Sequence, residues 1–175
     1  MNDAIPRRLR DRLFVVTAAL SFGCAGARGA GALPRCDNVR PPTKSTLVAR
    51  YYATGVQIYR WGDTAWTFVA PDAVLSSDAG GKHKVGTHYA GPTWEVVGDG
   101  KVVGAVAQRC TPNATAIPWL LLTAAPGERS GIFTHVTFIQ RVHTTGGLAP
   151  STRGNLRGAE VRVPYSAEYL FYRIE

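Results

Sequence analysis

The chain has 175 residues, 45% hydrophobic and 18% charged, with 19 glycines, 11 prolines and a formal charge of +8. That length suits one domain, the apolar share excludes a disordered chain, and so much glycine and proline argues for frequent turns over long helices. Residues 1–32 carry five arginines and two aspartates, so without them the charge is +5. The bases that remain, such as Arg50, Arg60, Arg109, Arg141, Arg162 and Arg173, stand singly among apolar residues. A nucleic-acid-binding face clusters its bases, and no nucleic-acid partner is expected.

The N-terminus reads as a secretory signal peptide over residues 1–32. A basic segment, "PRRLRDR", precedes an apolar run from Leu13 to Gly23 and then small residues. The run is shorter than the roughly 20 residues that cross a bilayer, so the mature chain is expected to hold no transmembrane span. Ala30-Gly31-Ala32 places cleavage before Leu33, with Ala25-Gly26-Ala27 as the second choice. Cys24 after Gly23 offers a lipid-anchored alternative, although Ser21 stands where such signals carry leucine. Arg7-Arg8 hints at twin-arginine export, but "RRLRD" lacks the apolar pair that should follow. All three routes lead out of the cytoplasm, to a periplasmic or extracellular location. Loss of the leader removes one of three cysteines and leaves Cys36 and Cys110. In an oxidising compartment an even pair points to a disulfide; two separate thiols are the alternative.

Residues 33–45 read as an N-terminal linker, polar and proline-rich over "DNVRPPTK", and 46–175 as one β domain. "TLVARYYA" (46–53) and "VQIYRW" (56–61) predict strands. "GDTA" (62–65) is a turn, and "WTFVA" (66–70) returns to complete a hairpin that Pro71, with no N–H to donate, should end. "WEVV" (94–97), "GDG" and "KVVGAVAQ" (101–108) predict a second hairpin. "PWLLLTAA" (118–125), "HVTFIQRV" (135–142), "EVRVPY" (160–165) and "EYLFYRI" (168–174) predict further strands, with a short helical turn near Ser130–Thr134. About nine or ten strands with regular turn signals indicate an all-β antiparallel sandwich or barrel.

"GTHYAGPTWE" (86–95) is the densest cluster of functional side chains. Gly91-Pro92 sets a turn, and across it His88 and Glu95 could meet as an acid–base pair. The plainer reading is a turn pinned by a hydrogen bond beside a buried Trp94. No G-x-S-x-G nucleophile motif, H-E-x-x-H or calcium loop is present. His83 and His88, and His135 and His143, are too sparse to predict a metal site, and no cofactor is expected. Trp61, Trp66, Trp94 and Trp119 could stack on sugar rings, yet large aromatics are equally the core of a small β domain; at least two of the four should be core. Asn113-Ala114-Thr115 is a glycosylation acceptor only in a eukaryotic secretory route.

Seven stretches in order, "GVQIYRW", "WTFVAPDAVL", "GTHYAGPTWE", "VVGAV", "AIPWLLL", "TFIQRVHTTGGLAP" and "VPYSAEYLFY", resemble the secreted bacterial and fungal family catalogued as domain of unknown function 3455, over roughly Ala53 to Tyr172. The resemblance brings no activity. Some fungal members look to be labelled malate dehydrogenases, but no G-x-G-x-x-G follows a strand here. The resemblance implies a cysteine where this chain has Trp61 and another within "STRGN" (151–155), so that the family's disulfide is absent here; a Cys36–Cys110 bridge, if formed, would be a different one. The reading is an exported, non-enzymatic binding module for a polysaccharide or other surface ligand, with His88, Tyr89, Trp94 and Glu95 as contacts. Its rivals are a small hydrolase or isomerase using His88 and Glu95, and a purely structural envelope protein. The sequence leaves the oligomeric state open.

Overall fold

Alternation of apolar and polar side chains puts every second residue of an extended chain on one face, and here that face turns inward around a closed ring. The computed structural model describes residues 35–175; the expected leader and Cys24 lie outside the described residues. Eight strands follow in order: β1 (Ser45–Trp61), β2 (Trp66–Ser76), β3 (Lys84–Tyr89), β4 (Thr93–Val96), β5 (Gly100–Cys110), β6 (Trp119–Arg129), β7 (Phe138–Gly146) and β8 (Glu160–Ile174). Each pairs antiparallel with the next, and β8 returns to β1, so the sheet is an up-and-down barrel rather than a sandwich.

The count is eight, not nine or ten, because two expected breaks are continuous strands. Gly55 lies within β1, where a Cβ would fall 2.2 Å from the Asp72 carbonyl oxygen of β2; the glycine marks close approach of backbones, not a strand end. "EVRVPY" and "EYLFYRI" likewise join as β8. Pro71 does not stop β2. It pairs with Gln57 of β1, while β3 reaches only as far as Ala73. The side of β2 that lacks a donor therefore has no neighbouring strand to miss it.

One end of the barrel is solid. The 3-10 turn Gly131–Phe133 folds beneath it, and Phe133 packs against Tyr51 and Phe171. Leu75, Val102, Val136 and Ile139 complete that core, each fully buried. Outside the wall, Cys36 is disulfide-bonded to Cys110 at the end of β5, with Cα atoms 5.6 Å apart. The adjacent 3-10 turn Asp37–Val39 lies against β5 and β6, burying Val39, whose carbonyl accepts a hydrogen bond from Gln140 Nε2 at 2.7 Å. Outward positions carry charge, as in the Arg60–Glu160, Arg50–Glu168 and Arg162–Asp72 pairs. Among the described residues no helix is long and apolar enough to cross a membrane.

Candidate functional site

The other end of the barrel is hollow. β3 and β4 are short, six and four residues, and their hairpin turns at Ala90–Pro92. β2 and β5 run on past it without a neighbour on that side: β2 pairs with β3 only from Ala73, and β5 with β4 only up to Val103. A notch therefore opens in the wall above Gly91-Pro92, between the outer halves of β2 and β5. It leads into a cavity of about 530 Å³, within the range that holds one small organic ligand.

Both sides of the notch are bulged. Ile58 faces Ala70 while Tyr59 faces Phe68, so Val69 is an extra residue in β2. Val106 faces Leu122 while Gln108 faces Leu121, so Ala107 is extra in β5. A bulge re-aims the side chains around it. Here Phe68 and Val69 both line the cavity, and on β5 the inward phase passes from Val106 to Arg109. Phe68, Val69 and Val106 are 49%, 39% and 44% exposed, which makes an apolar lip around the opening.

Below the lip lie His88, Trp94 and Tyr169, each at most 2% exposed. His88 stacks on Trp94 with centroids 4.4 Å apart and planes 12° from parallel, and Tyr169 meets both edge-on at 5.0 and 5.1 Å. Room for the indole comes from Gly104, where a Cβ would fall 3.0 Å from Trp94 Cζ3. His88 Nδ1 lies 2.8 Å from the Thr93 carbonyl oxygen. A carbonyl can only accept, so Nδ1 carries the proton and Nε2 a lone pair. Burial, helped by the Arg141 charge and opposed by the bond to Thr93, lowers the His88 pKa to about 3. The ring is neutral at physiological pH.

The wall across from the notch is polar. In the closed ring β7 and β8 stand opposite β3 and β4, and they place Arg141 and Tyr169 side by side, with Gln57 from β1 nearby along the lining. Arg141 donates from Nε and Nη2 to the Pro118 carbonyl at 3.0 and 2.8 Å. Among the described residues no Asp or Glu lines the cavity. Gln57 Nε2, Trp94 Nε1, Tyr165 Oη and Tyr169 Oη are buried with no hydrogen-bond partner among the described residues. Arg141 and Tyr165 act on the titration of Tyr169, and Tyr169 and Gln57 on that of Tyr165, yet none of these contacts closes a hydrogen bond of good geometry; burial dominates and raises both phenols. Each such buried group costs roughly 1–3 kcal/mol when left unpaired. Three of them, on Gln57, Trp94 and Tyr169, belong to residues that line the cavity.

The structure does not bring His88 and Glu95 together. His88 faces Trp94 across the hairpin and Glu95 faces Thr87, so strand alternation sends histidine inward and glutamate outward. Glu95 instead accepts a hydrogen bond at 2.7 Å from Tyr89 Oη on the outer surface. Of the four proposed contacts, His88 and Trp94 line the cavity and Tyr89 and Glu95 do not. Trp61 is also core; Trp66 and Trp119 are half-buried, and the Trp61 and Trp66 rings meet at 62°, not as a coplanar platform. Among the described residues no group of three or more His, Cys, Asp or Glu could hold a metal. Sequence reasoning missed Gln57, Arg141 and Tyr169. The one signal available was phase: Gln57 shares a strand face with Tyr59 and Trp61, and Arg141 with Ile139.

A family profile described as "Protein of unknown function (DUF3455)" matches residues 41–173. The chain belongs to this family. Comparison with curated proteins and with solved structures gave no match. The stretches that marked the DUF3455 resemblance are those that build the cavity: "GVQIYRW" supplies Gln57 and Tyr59, "GTHYAGPTWE" the floor and the notch, and "TFIQRVHTTGGLAP" Arg141. Trp61 and the "STRGN" stretch, where the resemblance implies cysteines, meet in space: a Cβ on Gly154 would fall 2.7 Å from Trp61 Cβ. In this member a tryptophan packed on a glycine occupies that place.

Proposed function

We propose that the protein is an exported binding module that holds one small, largely apolar organic molecule inside its barrel. The carrying observation is the one-ended cavity of about 530 Å³, apolar at its lip and provided with a few buried polar groups inside. Eight-stranded barrels have an interior just large enough for side chains or for one small ligand, and here the side chains fill only half. The leader pattern and the Cys36–Cys110 disulfide support export. A ligand on a flat aromatic platform is less well supported, because no coplanar tryptophan pair is presented. Acid–base catalysis by His88 and Glu95 lacks its geometry.

The neutral fluorophore N-phenyl-1-naphthylamine tests this reading. The mature protein should raise its fluorescence saturably with one-to-one stoichiometry. Val106→Trp, a change at a half-exposed lip position that the fold should tolerate, should block it. Binding that survives Val106→Trp unchanged would place the probe elsewhere, and no saturable binding at all would sink the proposal.

A further inference from the structure

We propose that the ligand is an amphipathic monoanion, a hydrophobic carboxylate whose head group sits on Arg141 and Tyr169 and whose apolar body points back to the Phe68–Val106 lip. The inference rests on the barrel-binding reading above and names its ligand class. Three observations carry it. Charge in the cavity has one sign among the described residues: Arg141 lies inside and Arg109 at the mouth, with no carboxylate in the lining. Among the described residues Arg141 has no acidic partner: it donates to the Pro118 carbonyl and lies beside the Tyr169 hydroxyl, and a half-buried cation without a counter-charge is costly unless something pairs it. Lining residues hold further donors that close no hydrogen bond of good geometry, the Tyr169 hydroxyl, the Gln57 amide and the Trp94 indole N–H, which can only donate; all three are covered in the empty barrel and are reached by a head group that parts the side chains over them. A carboxylate accepts from several donors at once and matches a guanidinium. Topology fixes the direction. The polar wall on β7, β8 and β1 faces the notch across the barrel, so a molecule passing Gly91-Pro92 head first delivers its head to Arg141 and leaves its tail among Phe68, Val69 and Val106. One guanidinium inside, with Nε and Nη2 already engaged, matches one negative charge; a dianionic phosphate would bury a second charge without a partner.

The experiment is isothermal titration of the mature protein at neutral pH with decanoate, decan-1-ol, decylammonium and decyl phosphate, with Trp94 fluorescence as a second readout. Decanoate should bind about tenfold or more tightly than decanol, and decylammonium weakest. Arg141→Met should abolish the preference while keeping decanol binding. Tyr169→Phe removes a hydroxyl that closes no hydrogen bond of good geometry, although it lies against Arg141 and Tyr165, so stability should change little, while decanoate weakens several-fold and decanol does not. That variant carries the test if Arg141→Met does not fold. Decanol equal to decanoate, or a preference that survives Tyr169→Phe and a folded Arg141→Met, would overturn the carboxylate and leave the barrel reading standing. Decyl phosphate tighter than decanoate would overturn the single-charge match. Failure of all four ligands and of N-phenyl-1-naphthylamine would overturn both readings.

Discussion

His88 and Trp94 face one another across the β3–β4 hairpin with rings 4.4 Å apart and nearly parallel. A histidine in that position is held as a flat apolar surface with one polar edge. Its proton is committed to the Thr93 carbonyl, and burial keeps the ring from charging until the pH falls to about 3. An unfolded histidine takes its proton near 6.5. Between those values the unfolded chain binds more protons than the folded one, so stability is full above about 6.5 and is lost as the pH falls, with a slope approaching ~1.4 kcal/mol per pH unit. Urea midpoints at pH 7.5, 5.5 and 4.5 should fall more steeply for wild type than for His88→Phe, which keeps the stack and has nothing to titrate. Parallel profiles would mean that His88 charges in the folded state.

Glu95 is the contrasting neighbour. Its carboxylate accepts from the Tyr89 hydroxyl on the outer face, and an exposed contact of this kind contributes at most about 1 kcal/mol. Glu95→Ala should leave the midpoint almost unchanged and N-phenyl-1-naphthylamine binding intact. Trp94→Ala, one residue away, should cost roughly 3–5 kcal/mol. Loss of binding in Glu95→Ala would show that the outer face of this hairpin matters to the ligand.

That Trp94 and Glu95 fall on opposite faces was legible because period-two alternation is local; which face turns inward was not, and so His88 and Glu95 could be read as a pair. The Cys36–Cys110 bond was legible from cysteine number and from the export that the leader pattern leads one to expect. Closure of the sheet was not, because it depends on the β1–β8 register from Ser45–Ile174 to Arg60–Glu160, a pairing between the two ends of the domain that no short window contains. Gly55 and Pro71 misled for a related reason. Each looks like a breaker by its own chemistry, and each is tolerated because of what the next strand does or fails to do. The cavity wall was hidden twice over. Gln57, Arg141 and Tyr169 come from β1, β7 and β8, and the bulges at Val69 and Ala107 change which face a residue serves part-way along a strand.

Gly104 is where packing leaves least choice. A Cβ there would already crowd Trp94 at 3.0 Å and both Leu122 and Ile139 at 3.3 Å, and all three are fully buried. Gly104→Val adds two more methyl groups to that contact. It should destabilise the fold by about 1–3 kcal/mol and push the indole out of its stack with His88, which near-ultraviolet circular dichroism would register. A variant with unchanged midpoint and unchanged tryptophan signal would show that the floor of the cavity yields easily.

The disulfide should act on stability and on the mouth of the cavity together. Cys36 and Cys110 are 74 residues apart, and closing a loop of that length restricts the unfolded chain by roughly 4–5 kcal/mol in the chain-entropy account. The bond also fastens the segment that covers the outside of β5 and β6, where Asn38 Nδ2 donates to the Arg109 carbonyl at 3.0 Å and Val39 is buried. Cys36→Ala/Cys110→Ala should therefore lower the denaturation midpoint and raise amide hydrogen exchange in the Asp37–Arg40 segment and around Arg109, ahead of the β1–β8 pairing. Global destabilisation with uniform exchange would assign the bond to the unfolded state alone. Faster exchange confined to Arg109 and its neighbours would show that it also holds the β5 side of the notch in shape, and the decanoate affinity of the same variant should then fall with it.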